Sequence, residues 1–224
     1  MSNSLIKQED MMQLLDNLYH KCMEGVPNIS ENIEDFANDY LKRHKTVEGA
    51  CSAMISNQIA KCTTSGAISG VGGFAFMAVA VPANITNVLY VQMRMIACAA
   101  YMGGYDLHSD QVQTFVYGCL AGIAMGNIAK DLGIKVGVKI ANNLIQKIPE
   151  KVLTKINQKV GFRLITKFGT KGAINLGKMI PGVGALIGGG IDYFETKAIG
   201  NRAYKWFIEN DYRNDNDEEV ICDL

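Results

Sequence analysis

The chain of 224 residues is 48% hydrophobic, which supplies one continuous core and argues against two independent small domains. Its 22 lysines and arginines balance its 22 aspartates and glutamates, so the total charge by itself points to no particular partner. The six cysteines form no CxxC pair and no zinc-finger spacing with histidine, which predicts reduced structural thiols in an intracellular protein.

The first helices are predicted from apolar spacing and from the residues that start or end a helix. Residues 4–24 form an amphipathic helix that Gly25 ends, and Ser30 is the predicted N-cap of a second helix. Thr46 or a neighbour caps a third helix. The N-terminus has no basic start and no apolar run, so no secretory signal is predicted.

Residues 62–93 are the most unusual stretch, because 32 consecutive positions carry no charged side chain. A segment of this composition must be buried, in protein or in lipid. Three glycines in its first half predict close helix packing: Gly66, Gly70 and Gly73. The apolar helix that follows is predicted to end at Gly103 and Gly104.

A second uncharged helix is predicted from Gln111 to Lys130, with Ser109 as a candidate cap. Three glycines recur along it in steps of four: Gly118, Gly122 and Gly126. This spacing forms a smooth strip, which is typical of a close helix crossing. The stretches 66–83 and 111–129 are long enough to span a bilayer, but they are poor in leucine and isoleucine. Burial in a helical domain is therefore the favoured interpretation, and conditional insertion stays open.

A basic stripe follows, in which nine bases recur at four-residue steps with one gap. They are Lys135, Lys139, Lys147, Lys151, Lys155, Lys159, Arg163, Lys167 and Lys171. Because a four-residue step turns by about 40° on an α-helix, the stripe keeps one face only if breaks re-phase it. Pro149, Gly161, Gly169 and Gly172 are the predicted breaks.

The charge of this region suggests two roles. Residues 130–178 hold eleven bases and two acids, whereas residues 1–49 and 192–224 are acidic. The bases can pair with those acidic ends or face anionic lipid headgroups. Nucleic acid is not the expected partner, because Phe162 and Phe168 are the only aromatic residues in the region.

The remaining chain completes an all-α fold. A glycine-rich segment leads into a last helix that ends near Glu209, with Gly184 and Gly188 as packing positions, and no alternating pattern predicts a strand. We expect a single compact multi-helix domain with glycine-zipper central helices and a basic amphipathic region. Its parts are an N-terminal helical extension (1–45), the helical domain (46–210) and an acidic tail predicted to be disordered (211–224).

Two blocks of sequence resemble the signatures of the bacterial EcsC family. The first comprises 70–73, 82–84, 92–96 and 101–106, and the second comprises 180–193 with Thr196, 199–200 and Ala203. The family usually has an aspartate where this chain has Asn84, and commonly an asparagine where it has Asp192. The resemblance implies a helical protein, named after a neighbour of an ABC transporter, with no secure reaction.

Arg94 belongs to the best polar constellation in the sequence. It follows a long uncharged segment, so its guanidinium needs a buried partner, and Asp106 or Asp192 are the candidates. With Asn84 they form either a buried ion pair between helices or a functional pocket. No nucleophile with an adjacent base, phosphate loop after a strand, or metal spacing is evident, and no cofactor is predicted.

The function predicted first is that of a non-enzymatic, membrane-associated helical protein. It binds anionic membrane, or inserts there conditionally, at the inner face of the cell membrane, using the glycine-rich helices and the basic stripe. One alternative is an enzyme or small-ligand-binding protein with a pocket around Arg94 and residues 180–193. Another is a soluble regulatory module that docks on a transporter or another protein.

Overall fold

Helices account for nearly all the ordered backbone in the part of the chain that the structure describes. The computed structural model describes residues 7–63, 83–123, 145–168 and 184–212, excepting the side chains at 62–63, 83–84 and 184–192. The helices are α1 (Gln8–Glu24), α2 (Ile33–Arg43), α3 (Val47–Thr63), α4 (Ala83–Met102), α5 (Asp110–Ala121), α6 (Glu150–Phe168) and α7 (Gly184–Phe207). Within these ranges the backbone holds one isolated bridge and no strand, so the predicted all-α fold is confirmed.

The central element is α4, which packs against α1, α2, α3, α5 and α7. Its residues from Leu89 to Ala100 are all buried, including the polar Gln92 and Arg94. A helix that is apolar on all sides is stable in water only when other helices surround it. The uncharged composition of this segment therefore explains its central position.

The N-terminal helices belong to the same core. Leu14, Leu15 and Leu18 of α1 are fully buried, and Ile33 and Phe36 of α2 join the same apolar cluster. At the other end of the chain, Tyr212 is buried against Phe115, although the sequence placed it in the tail. The described chain from residue 7 to residue 212 forms one compact domain.

Two helix starts test the capping predictions. Ser109 is the N-cap of α5, as predicted, and its hydroxyl accepts a hydrogen bond of 3.3 Å from the Val112 amide. The prediction of Ser30 for α2 is wrong, because Asn32 accepts from the Asp35 amide at 2.8 Å. Ser30 instead bonds to the hydroxyl of Tyr90 at 2.7 Å.

The predicted continuous helix from Gln111 to Lys130 is wrong at Gly122, and residues 124–130 lie outside the described residues. α5 ends at Ala121, and Gly122 adopts a left-handed conformation with φ of 67°. Glycine reaches this conformation without the steric cost that other residues meet, and its amide bonds back to the last turn. Gly118 is buried within α5, while Gly122 ends the helix and so extends no strip along it.

Candidate functional site

The members of the basic stripe that the structure describes lie on α6 and the turn before it. α6 continues without a break from Glu150 to Phe168, so Gly161 is not the predicted break. Its apolar side packs against α1 and α5. The exposed bases are Lys147, Lys151, Lys155, Lys159, Arg163 and Lys167. Lys135, Lys139 and Lys171 lie outside the described residues.

Because α6 is continuous, the basic stripe winds around it. Each four-residue step turns by about 40°, so Lys167 points about 160° away from Lys151. Lys167 reaches α7, where its ammonium group pairs with the carboxylate of Glu195. The last base of the stripe on α6 is therefore neutralised by the protein itself.

The lysines in the N-terminal half of α6, unlike Lys167, have no acidic partner among the described residues. Lys151, Lys155 and Lys159 are exposed, and none of the ion pairs within the described residues includes them. α6 carries five bases and one acid, Glu150, which gives the helix a net charge of +4. Three lysines of this face are left to interact with solvent or with an anionic partner.

Phe162 shares the face of these lysines and lies just beyond Lys159 along α6. Its side chain is 70% exposed, the largest value among the described large hydrophobic residues. On the helical wheel, Phe162 is about 20° from both Lys151 and Lys155 and about 60° from Lys159. We call these four residues the α6 basic face. The sequence pattern contained Phe162, but only the fold places its ring outside the core.

Arg94 is buried and makes a different set of contacts from those predicted. It is 5% exposed, donates to the backbone carbonyl of Glu31 at 2.5 Å, and stacks over the Phe36 ring at 4.3 Å. The phenol of Tyr90 lies nearby; burial raises its pKa, and the Arg94 charge opposes that change. These groups fill the space around the guanidinium with protein atoms.

Of the other members of the predicted polar pocket, the structure describes only the side chain of Asp106, which does not join Arg94. Asp106 lies in the loop after α4, where its carboxylate accepts from the His108 amide at 2.9 Å. Asn84 and Asp192 lie on α4 and α7, and their side chains are outside the described residues. The contacts of Arg94 are those of a structural clamp between the start of α2 and the middle of α4.

A groove between α3 and α7 is a feature that the sequence did not predict. It has a volume of about 600 Å³. Eleven residues line it: Ser52, Ile55, Ser56, Ile59, Ala60, Tyr193, Lys197, Asn201, Tyr204, Lys205 and Glu209. The lining residues of α3 and α7 are more than 130 positions apart in the chain, so no local sequence motif could have predicted the groove.

The buried thiols are not activated nucleophiles. Burial raises the pKa of Cys22 and of Cys51 to about 12, and it also raises that of Cys98. At neutral pH these cysteines are protonated, whereas nucleophilic cysteines need a lowered pKa. Among the described residues, no group of three or more metal-binding side chains converges on one point.

The family to which the chain belongs follows from a match over nearly its whole length. A model of the EcsC protein family matches residues 2–208. The chain belongs to the EcsC family. Neither the curated proteins nor the solved structures that were compared with it gave a match.

The two blocks that resemble the EcsC signatures meet inside the protein. Gln92 on α4 donates to the hydroxyl of Thr196 on α7 at 3.0 Å, and both residues are buried. One turn along, a Cβ added to Gly200 would lie 2.7 Å from Ile55 and 3.4 Å from Met95. These residues of the two blocks hold α4 and α7 together, with α3 beside them.

The glycines at the closest described contacts of this EcsC protein are not those predicted. A Cβ on Gly103 would overlap the carbonyl oxygen of Phe207, and Gly200 lies against α3. Gly66, Gly70, Gly73 and Gly126 lie outside the described residues, and Gly184 and Gly188 lie in the first turns of α7. The glycine zipper of these positions stays a prediction.

The described helices of the EcsC protein were also compared with the requirements of a membrane span. None of them combines the length and the apolar character that crossing a bilayer requires.

Proposed function

We propose that this EcsC-family protein associates reversibly with anionic membrane surfaces through the α6 basic face. The observation that carries the proposal is the exposed ring of Phe162 on the face of Lys151, Lys155 and Lys159, three lysines without a carboxylate partner in the described residues. Helices that lie on membranes combine lysines with an aromatic or aliphatic side chain that enters the interface. The inner face of the cell membrane is the proposed location.

The energies favour weak, reversible binding. Lysines near an anionic surface contribute about 1 kcal/mol each, and burying a phenylalanine contributes about 2 kcal/mol. The four residues together supply about 5 kcal/mol before entropy losses, comparable to a single myristoyl chain with a binding constant of about 10⁴ M⁻¹. Regulated or transient association fits this magnitude better than permanent anchoring.

The orientation of α6 supports contact without insertion of the whole helix. Its buried side holds Val152, Ile156 and Val160 against α1 and α5, so these residues stay in the protein core. Only the outer face remains for the headgroup region. Conditional insertion of the glycine-rich segments, which lie largely outside the described residues, stays a separate prediction.

The test measures sedimentation of the purified protein with vesicles. We expect binding to vesicles that contain phosphatidylglycerol, little binding to pure phosphatidylcholine vesicles, and weaker binding as salt increases. The double variant Lys155→Gln/Lys159→Gln should lose about 2 kcal/mol, which is about 30-fold in affinity. Phe162→Ala, which removes about 2 kcal/mol, should also weaken binding by about 30-fold but leave the salt dependence unchanged.

The matched control is Lys42→Gln/Lys45→Gln, which removes two exposed lysines at the end of α2. This variant should bind vesicles like the original protein. Equal binding to neutral and anionic vesicles, or equal losses in the two double variants, would contradict the proposal. If the protein binds neither the anionic nor the neutral vesicles, docking on a transporter, the third prediction from the sequence, would be favoured.

A further inference from the structure

The groove between α3 and α7 has the dimensions of a ligand site. Its volume of about 600 Å³ falls in the range of small-molecule pockets, which is about 300–1,000 Å³. α3 runs antiparallel to α7 here, since Ser52 lies near Tyr204 while Ile55 packs on Gly200. The short side chains of Ser52, Ser56 and Ala60 on α3 leave the space open.

The α7 wall of the groove is cationic. Lys197 and Lys205 lie one turn on either side of Asn201, at about 6 Å along the helix axis. Neither lysine belongs to an ion pair among the described residues. Both side chains are long enough to reach an anion held in front of Asn201. The Ser56 hydroxyl on α3 already donates to the carbonyl of Ser52 at 2.9 Å, so the two lysines and Asn201 supply the donors.

The two ends of the groove differ in charge and polarity. Glu209 lies beyond Lys205, and its carboxylate would repel an anion at that end. Ile59, Ala60 and Tyr193 lie at the other end. The ammonium group of Lys197 lies over the Tyr193 ring, 5.8 Å from the ring centroid. Lys197 is exposed and its side chain is flexible, so its ammonium group can turn from the Tyr193 ring to an anion at Asn201. An elongated ligand bound in this way would place its charge at Asn201 and its apolar part toward Tyr193.

We propose that the groove binds a free anionic amphiphile, a carboxylate or phosphate monoester with a short apolar chain. Lys197, Lys205 and Asn201 hold the anionic head, and Ile55 and Ile59 form the apolar floor. This site is separate from the α6 basic face: α3 packs on α2, α4 and α7, whereas α6 packs on α1 and α5. The inference does not rest on the membrane proposal.

The experiment is calorimetric titration of the whole protein with octanoate, octyl phosphate, octanol and inorganic phosphate. Octanoate and octyl phosphate should bind, and octanol and inorganic phosphate should bind at least about tenfold more weakly, because each lacks one half of the ligand. Lys197→Gln and Lys205→Gln should each weaken octanoate binding by about tenfold. Lys42→Gln is the control and should leave it unchanged.

A second variant separates loss of binding from loss of folding. Ser56→Phe fills the groove from an exposed position, so it should abolish octanoate binding while the thermal midpoint stays close to that of the original protein. Equal affinity for octanol and octanoate would overturn the proposal, as would unchanged binding in both lysine variants.

The vesicles of the membrane experiment also test whether the groove ligand is a free amphiphile or a lipid in a bilayer. If the ligand is a free amphiphile, Lys197→Gln and Lys205→Gln leave vesicle binding unchanged, and Lys155→Gln/Lys159→Gln leaves octanoate binding unchanged. Loss of vesicle binding in the groove variants would show a bilayer lipid as the ligand and overturn the free-amphiphile assignment. If one of the two proposed sites proves wrong, the experiment on the other site can therefore still be interpreted.

Discussion

Arg94 is a buried cation that is held by a carbonyl oxygen and an aromatic ring. Its guanidinium contacts Glu31 and Phe36 and lies near Tyr90, and no carboxylate pairs with it in the described part of the chain. Arginine suits such a site, because its charge is weakly hydrated and its planar group stacks on rings. The clamp joins the start of α2 to α4.

Arg94→Met should lower the free energy of unfolding by about 2 kcal/mol, since it removes a charged hydrogen bond and a cation–π contact from the core. The matched control is Arg43→Met. Arg43 also bonds to a backbone carbonyl, that of Asp39, and stacks on a ring, that of Tyr40, but it is exposed. Its loss should cost less than about 0.5 kcal/mol. Urea denaturation measures both, and equal costs would contradict the clamp.

At the scale of the helices, the backbones at the ends of α4 and α7 approach each other closely. Gly103 follows the last residue of α4, and the carbonyl of Phe207 occupies the space where a Cβ would lie. The amide of Gly103 also completes the helix by bonding to Ala99 at 3.0 Å. The start of the α4–α5 loop is thus fixed against the end of α7.

Gly103→Ala should therefore destabilise the protein by about 3 kcal/mol, because a backbone shift in α7 is needed to admit one methyl group. Gly104→Ala is the informative comparison. Its φ is 79°, and a Cβ there would meet nothing within 4 Å, so only the left-handed conformation costs energy, about 1 kcal/mol. Thermal and urea unfolding would refute this account if the two variants were equally stable.

α6 shows how a helix turns one sequence pattern into two surfaces. Lysines and an arginine recur every four residues from Lys151 to Lys167, but continuous winding sends the last of them to Glu195 on α7. The first three stay beside Phe162 on the outside. The membrane proposal depends on this division and therefore on the absence of a break at Gly161.

At the scale of the whole molecule, buried thiols and phenols link stability to alkaline pH. Burial raises the pKa of Cys22 and Cys51 from 9.0 to about 12, and the pKa of the Tyr117 phenol is raised as well, chiefly by burial. Below about pH 9 the two thiols are neutral in both the folded and the unfolded chain. Above it, the unfolded chain loses these protons first, so the folded state becomes less favoured.

The free energy of unfolding should therefore fall as pH rises from about 9 toward 12, which urea denaturation at several pH values would measure. The double variant Cys22→Ala/Cys51→Ala should show a shallower fall, even if its stability at neutral pH is lower. A fall of the same steepness in both proteins would mean that the thiols are not responsible.

Sequence periodicity alone determined the helical class, the ends of α1 and α4, the cap at Ser109 and the exposed position of the lysines on α6. These properties depend on neighbours within one or two turns, such as the glycines after Met102 or the hydroxyl before Val112. The central position of α4 also followed from its composition, since an uncharged helix must be covered.

Contacts between distant segments decided the rest. The partners of Arg94, the pairing of Lys167 with Glu195, the exposure of Phe162 and the α3–α7 groove each depend on residues that are far apart in the chain or on which helix covers which face. A local pattern fixes which direction a side chain takes on its own helix. It cannot say what lies in that direction, because packing over the whole domain sets which faces are covered and which remain free.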